Sequence, residues 1–187
     1  MNVTNATSNL YNNTTSSNKN TDNSNSNFNV DTKIMNEINN ESDTVEREED
    51  TILYQQLKAA GVDFTSHSLE WQKEAIQSFP PLTAPANVRR SYRETLENAS
   101  PEEKKAASAL PFYMYIYQTQ TGDKIDSTSN SVSGYSKLLE NFKNYFQTNF
   151  NDDNARYKVD VKSTSNFIDN LLSKLSQYSW LTFLINV

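Results

Sequence analysis

The chain of 187 residues has no cysteine, one histidine and three glycines. Without cysteine there is no disulfide framework, no thiol nucleophile and no zinc ribbon. A lone His67 cannot build a multi-histidine metal site, and three scattered glycines cannot form a loop that cradles phosphate. Long apolar runs are missing too. The greasiest stretch, Trp180 to Val187, falls far short of the roughly 18 residues of a spanning helix. No basic start followed by an apolar segment of a secretory signal is present, and the first arginine is Arg47, which excludes an Arg-rich presequence. The expected location is therefore cytoplasmic, or outside the cell by a leaderless route, with no membrane insertion.

Charge is present but unevenly placed. The formal net charge is -6, yet residues 1–50 hold 3 Lys and Arg against 9 Asp and Glu, which leaves 14 of each sign for the remainder. The acidity lies between Asp31 and Asp50. Of the first 30 residues, 21 are Asn, Ser or Thr. So polar a tract has little apolar area to set against the roughly 1–2 kcal/mol per residue of backbone ordering entropy, and residues 1–41 are expected to be a disordered arm. Only Leu10, Tyr11, Phe28, Val30, Ile34, Met35 and Ile38 offer anchors within it. A single folded domain is expected over residues 42–187.

Regular signals begin at Ser42. Ser42 or Asp43 can cap a helix with Glu46, Glu48 and Glu49 at its positive end, an inward stripe of Leu53, Leu57 and Ala60, and Gly61 as its left-handed stop. A second helix starts at Ser66 or Ser68, carries Leu69, Trp71, Ala75, Ile76 and Phe79, and ends at Pro80-Pro81. His67 stands at its start, as a solvated or capping-turn residue. Val88, Tyr92 and Leu96 form the next stripe, with Arg89, Arg90 and Arg93 on the outer face. Glu94 and Glu97, four residues after Arg90 and Arg93, neutralise two of these arginines, which argues against nucleic acid as a partner. Ser100-Pro101-Glu102-Glu103 is a capping box with proline at the first helical position, and that helix is expected to kink or end at Pro111.

Phe112 to Tyr117 alternates, with Phe112, Met114 and Ile116 on one side and Tyr113, Tyr115 and Tyr117 on the other, the pattern of a strand. Its tyrosine face is either half covered in the core or an aromatic platform that meets another protein, since tyrosine joins apolar area to a hydroxyl. Tyr113, Tyr115 and Tyr117 are the candidate partner-binding residues. Lys124 to Asp126 is a possible return strand, and Asp123 and Asp126 lack the terminal acid of a calcium loop. Ser133 to Phe150 reads as an amphipathic helix with Tyr135, Leu138, Leu139, Phe142, Tyr145, Phe146 and Phe150 on one broad stripe. Arg156 to Lys162 alternates as a half-buried strand; Ser163, Thr164 or Ser165 caps a helix through Phe167, Ile168, Leu171, Leu172 and Leu175; and Trp180 to Val187 reads as a buried strand. The expected fold class is α+β, about five helices with a small sheet of about three strands, and the alternative is an all-α bundle.

No motif names an enzyme, and no catalytic, cofactor-binding or metal-binding residue can be assigned. The expectation is a non-enzymatic protein–protein interaction or structural module. One alternative is an intracellular adaptor or chaperone-like protein that binds a partner helix through the Ser133 to Phe150 helix or the helix that starts at Ser42 or Asp43, and another is an enzyme relying on carboxylates or tyrosines assembled by the fold. The Asn, Ser and Thr-rich, nearly uncharged start on a cysteine-free chain resembles the leaders of bacterial proteins exported through flagellar or virulence type III machinery. That resemblance covers about 30 residues and rests on composition. It implies an exported appendage component, cap or effector, and it carries no functional residue with it.

Overall fold

The computed structural model describes the backbone of residues 24–126, 129–150 and 160–185, and the side chains of 30–126, 129–150 and 160–179. Seven helices follow in chain order: α1 (Ser24–Asn39), α2 (Thr44–Ala59), α3 (Leu69–Ala75), α4 (Ala86–Asn98), α5 (Pro101–Thr121), α6 (Val132–Asn149) and α7 (Val161–Ile185). Among the described residues there is no strand. The α+β expectation is thereby corrected, and the all-helical alternative fits the described residues.

Where the expected strands fall on described residues, they are helix or irregular link for local reasons. Phe112 to Tyr117 lies inside α5, because over a longer window the same residues extend the stripe Ala106, Ala107, Leu110, Met114, Tyr117, which has helical spacing and is buried throughout. Six alternating residues fit both periods, and the neighbours on either side decide. Lys124 to Asp126 is an irregular link between α5 and α6. Of Arg156 to Lys162, residues 156–159 lie outside the described residues, while Val161 and Lys162 open α7. The Trp180 segment is helical as far as Ile185, and its last two residues lie outside the described ones. No glycine or proline stands between Val161 and Val187 to stop the helix that Phe167 and Ile168 begin.

Pro111 neither ends nor interrupts α5. Proline has no N–H, so the carbonyl of Ala107, four residues back, loses its helical partner. The Tyr92 hydroxyl of α4 donates to that carbonyl at 3.4 Å, in a buried setting. The orphaned acceptor is satisfied from a neighbouring helix, and α5 continues for ten residues past the proline.

The chain divides into two compact units, residues 1–86 and 87–187. In the first, α1 packs on α2. Its core joins Ile34 and Ile38 of α1 to Leu53, Tyr54 and Leu57 of α2, then to Phe64, Leu69 and Leu82. Residues 24–39 thus form a helix within the stretch expected to be an arm, and they use its anchors Val30, Ile34, Met35 and Ile38. Asp31, in the same helix, accepts from the Tyr54 hydroxyl and pairs with Lys58. Burial opposes ionisation of Asp31, but the bonds from Lys58 and Tyr54 outweigh it and hold the carboxyl below its ordinary range.

Helix α2 is capped by Asp43, whose carboxylate accepts from the backbone of Val45 and Glu46 at 2.7 and 3.1 Å. It ends in a Schellman motif: Gly61, with φ of 85°, donates to Lys58, and Val62 donates to Leu57 while packing on the core that Leu57 belongs to. Ser68 caps α3, which stops at Ala75, short of the expected Phe79.

The second unit consists of α4 to α7. Val88, Tyr92 and Leu96 face inward as expected, but Arg89, expected on the outer face, is 3% exposed. α5, α6 and α7 pack pairwise on one another. Tyr92 meets Phe167 of α7 edge to face at 5.5 Å. Glu94 gathers Lys174 at 3.2 Å and the Tyr178 hydroxyl at 2.8 Å from α7, and pairs with Arg90 on its own helix. Burial opposes its ionisation, yet the bonds from Tyr178 and Lys174 and the charges of Lys174 and Arg90 keep its carboxyl below the ordinary range. Asp160, rather than Ser163, Thr164 or Ser165, caps α7 by accepting from the Ser163 backbone at 2.8 Å.

Two stability outcomes follow. Ile38→Ala removes a side chain that is 1% exposed in the first core and should cost about 2–5 kcal/mol in denaturant unfolding of the full chain. Retention of full stability would show that α1 does not belong to that core. Tyr92→Phe should cost about 1–2 kcal/mol by leaving the Ala107 carbonyl without its donor. Adding Pro111→Ala restores an N–H beneath that carbonyl and should recover most of the loss, whereas additive losses would disprove the compensation.

Candidate functional site

The candidate residues Tyr113, Tyr115 and Tyr117 all stand on α5, and its helical turn divides them between two sides. The helix is anchored at its start by the Ser100–Glu103 capping box, with reciprocal bonds of 3.2 and 2.8 Å. It is closed by Gly122 in the left-handed conformation, φ 75°. Between these ends, residues 113 and 117 are one turn apart on the side facing α6, and residue 115 lies nearly opposite.

Tyr117 is buried. Its ring meets Phe142 at 5.6 Å and Tyr145 at 5.2 Å, both on α6. Its hydroxyl donates to Asp123, which also accepts from Asn141 of α6 at 3.0 Å. Burial and this carboxylate push the phenol up to about 12, so it stays a neutral donor across the physiological range. Tyr113 is half-buried, edge to face with Phe146 at 5.2 Å and Phe150 at 5.3 Å. These two tyrosines therefore fasten α5 to α6, and the Tyr145 hydroxyl donating to Gln120 adds a polar stitch at the same seam.

Tyr115 alone of the three is exposed, at 68%. Its neighbour on the helix surface is Phe112, three residues earlier and 57% exposed. Phe112 was grouped with Met114 and Ile116 on the opposite side of the supposed strand. Helical spacing instead sets it beside Tyr115, and the signal that finds it in the sequence is the helical stripe Ala106, Ala107, Leu110, Met114 and Tyr117, which leaves Lys105, Ser108, Phe112, Tyr115 and Thr119 on the other face. An exposed phenylalanine beside an exposed tyrosine is apolar area that water solvates poorly and that another surface can cover.

The inward stripe of α6, a candidate for binding a partner helix, is occupied within the chain: Tyr135, Leu138, Leu139, Phe142 and Phe146 are all buried. Phe146 also stacks on Phe150 at 5.0 Å. α6 is further held to α7 by Lys143, whose ammonium sits 2.6 and 2.7 Å from the two oxygens of Asp169, and by Gln147 donating to Ser165 at 3.2 Å.

In the first unit the third large exposed apolar side chain, Trp71, is 46% exposed. His67 stacks on it with ring centroids 3.7 Å apart and planes 13° from parallel. The histidine precedes the Ser68 cap of α3, in the capping turn where the sequence suggested it, and its ring covers one face of the indole. Among the described residues no group of three or more His, Asp or Glu side chains is placed to hold a metal ion, and no helix is long and apolar enough to cross a membrane.

No protein-family model, no curated protein and no solved structure matches the chain.

Proposed function

We propose that the protein acts by binding another protein, through the aromatic strip that α5 turns to solvent, and that it does so without catalysing a reaction. The observation that carries the reading is the pair Phe112 and Tyr115, 57% and 68% exposed on adjacent turns of a helix whose other face is packed. Aromatic side chains supply large contact area with few rotatable bonds, and the tyrosine hydroxyl can bond at the rim while its ring is covered. Lys105, Ser108 and Thr119 continue the strip with polar groups at both ends, so the apolar centre has the polar border expected of a recognition surface.

The partner best suited to such a strip is an amphipathic helix. Exposed positions at 105, 108, 112, 115 and 119 repeat in the three-and-four spacing by which one helix reads another, and two apolar anchors one turn apart are a minimal seam. The adaptor reading thus moves from α6, whose stripe is spent in the core, to the outside of α5. The Asn, Ser and Thr-rich composition of the first 30 residues supports export through flagellar or type III machinery, and a binding role is compatible with a surface or extracellular destination.

The double variant Phe112→Gln, Tyr115→Gln tests this. Both sites are exposed, so folding stability should change by less than about 0.5 kcal/mol for each substitution. A photo-crosslinking residue at position 108 in the otherwise native chain, expressed in its own host, should capture a partner that the double variant fails to capture. Capture unchanged by the double substitution would overturn the assignment of the strip. Tyr117→Ala serves as the contrast: it removes a buried ring and should cost about 3–5 kcal/mol, through folding rather than recognition.

A further inference from the structure

The first unit holds an ionic cluster that the binding strip does not use. Lys73 of α3, 7% exposed, places its ammonium 2.9 Å from Asp50, 3.0 Å from Glu70 and 3.5 Å from Glu46. Asp50 is fully buried on α2. A fourth carboxyl comes from Glu41, in the short link between α1 and α2, and lies within hydrogen-bond reach of Asp50. Its Oε2 is buried with no partner among the described residues. Arg47 of α2 holds the same link by donating to the Glu41 backbone carbonyl, not to its carboxylate.

Four acids therefore crowd around one ammonium and one guanidinium, whose Nη2 bonds the Glu41 carbonyl and whose Nε is buried with no partner among the described residues. Two ionised carboxylates in contact away from water repel each other, while one proton between them turns the repulsion into a hydrogen bond. Glu41 is where that proton binds more tightly. Burial comes first, then the charge and hydrogen bonding of Asp50 and the charge of Glu46, with Lys73 acting in the opposite sense, and together they push Glu41 up to about 7. The remaining acids nearby have other roles or surroundings. Glu37 of α1 faces Lys33 at the surface, at 3.9 Å, Asp43 caps α2, and Glu49 is buried one residue before Asp50.

We propose that the Glu41–Asp50 carboxyl pair is a proton-operated latch, holding the link between α1 and α2 while it shares a proton and loosening it when the proton leaves. Its reach follows from the position of Glu41. Two residues before it stands the end of α1, and three before it is Ile38, which is buried in the core of the first unit. Repulsion at Asp50 acts on the link through which Ile38 and Ile34 are held down on α2.

The sign is set by the direction of the shift. A carboxyl raised in the folded chain binds protons more tightly there than in the unfolded chain, so its stabilisation is complete below the ordinary glutamate range and is lost as pH rises through about 7. This opposes the usual behaviour of a paired carboxylate such as Asp31, which stabilises at neutral pH and fails in acid.

The test uses the full chain. In wild type, a carboxyl-detected NMR titration should place the midpoint of Glu41 near neutrality, and hydrogen exchange at residues 34–41, corrected for its intrinsic pH dependence, should lose about tenfold in protection between about pH 6 and 8. Glu41→Gln, which keeps the shape of the protonated acid, should retain its protection over that range. His67 is present in both proteins and cancels from the difference. A Glu41 midpoint at about pH 4 to 5, or the same exchange profile in wild type and Glu41→Gln, overturns the proposal. Should Glu41→Gln fail to fold, the wild-type midpoint and exchange profile decide between the same two outcomes.

Discussion

The hydrogen bond from Tyr92 to the carbonyl that Pro111 strands is the contact on which the second unit depends. A proline at the eleventh position of a helix withdraws a donor and crowds the preceding turn, and with no compensation the chain would bend away or stop there. Because the Ala107 carbonyl is met from α4, the helical screw passes through residue 111 unbroken. That phase then fixes every later residue of α5. Met114 and Tyr117 reach the core, Tyr113 reaches α6, and Phe112 and Tyr115 are left outside. A break at 111 would have freed the next six residues to choose another phase or another structure, and the exposed aromatic pair would not exist.

Several helix ends are readable from residue types, because caps are local chemistry, although Asp160 and not Ser163, Thr164 or Ser165 caps α7 and α3 stops at Ala75. Asp43, Gly61, Ser68 and the Ser100–Glu103 box act within four residues of themselves, and they sit where they were expected. The i,i+4 pairs Arg90–Glu94 and Arg93–Glu97 form for the same reason, at 3.4 and 3.1 Å. What failed was the assignment of short apolar runs. In Phe112 to Tyr117 either period can be read over six residues, and the choice between them is made by the stripe that Ala106, Ala107 and Leu110 begin before it, with Tyr92 meeting the carbonyl that Pro111 leaves open. A window of six residues cannot supply that information.

The consequence for the candidate site is specific. A strand would have put Tyr113, Tyr115 and Tyr117 on one face as a ladder, and a helix separates them by about 200° between neighbours two apart. One of the three remains available to a partner, and it acquires a companion, Phe112, that the strand model had assigned to the other side. The aromatic content of this region is thus divided between two tasks. Tyr113 and Tyr117 join Phe142, Phe146 and Phe150 in the seam between α5 and α6, while Phe112 and Tyr115 stay solvated at the cost of exposed apolar area.

The acidic excess between Asp31 and Asp50 also takes a structural meaning. It is not a solvated tail. Asp31 binds Tyr54 and Lys58, Asp43 caps a helix, Glu46 and Asp50 surround Lys73, and Glu41 lies against Asp50. Each acid near a cation or a helix end offsets the cost of leaving water, but the acids outnumber the cations close to them, so the last carboxylate is left against another acid. Glu41 occupies that position, between a fully buried Asp50 and a link that must stay in place for Ile38 to remain covered. The surplus of negative charge that the sequence concentrates in twenty residues is therefore not spread as surface repulsion. It converges on one carboxyl pair at the joint between the first two helices, where a single proton decides whether the surplus is felt.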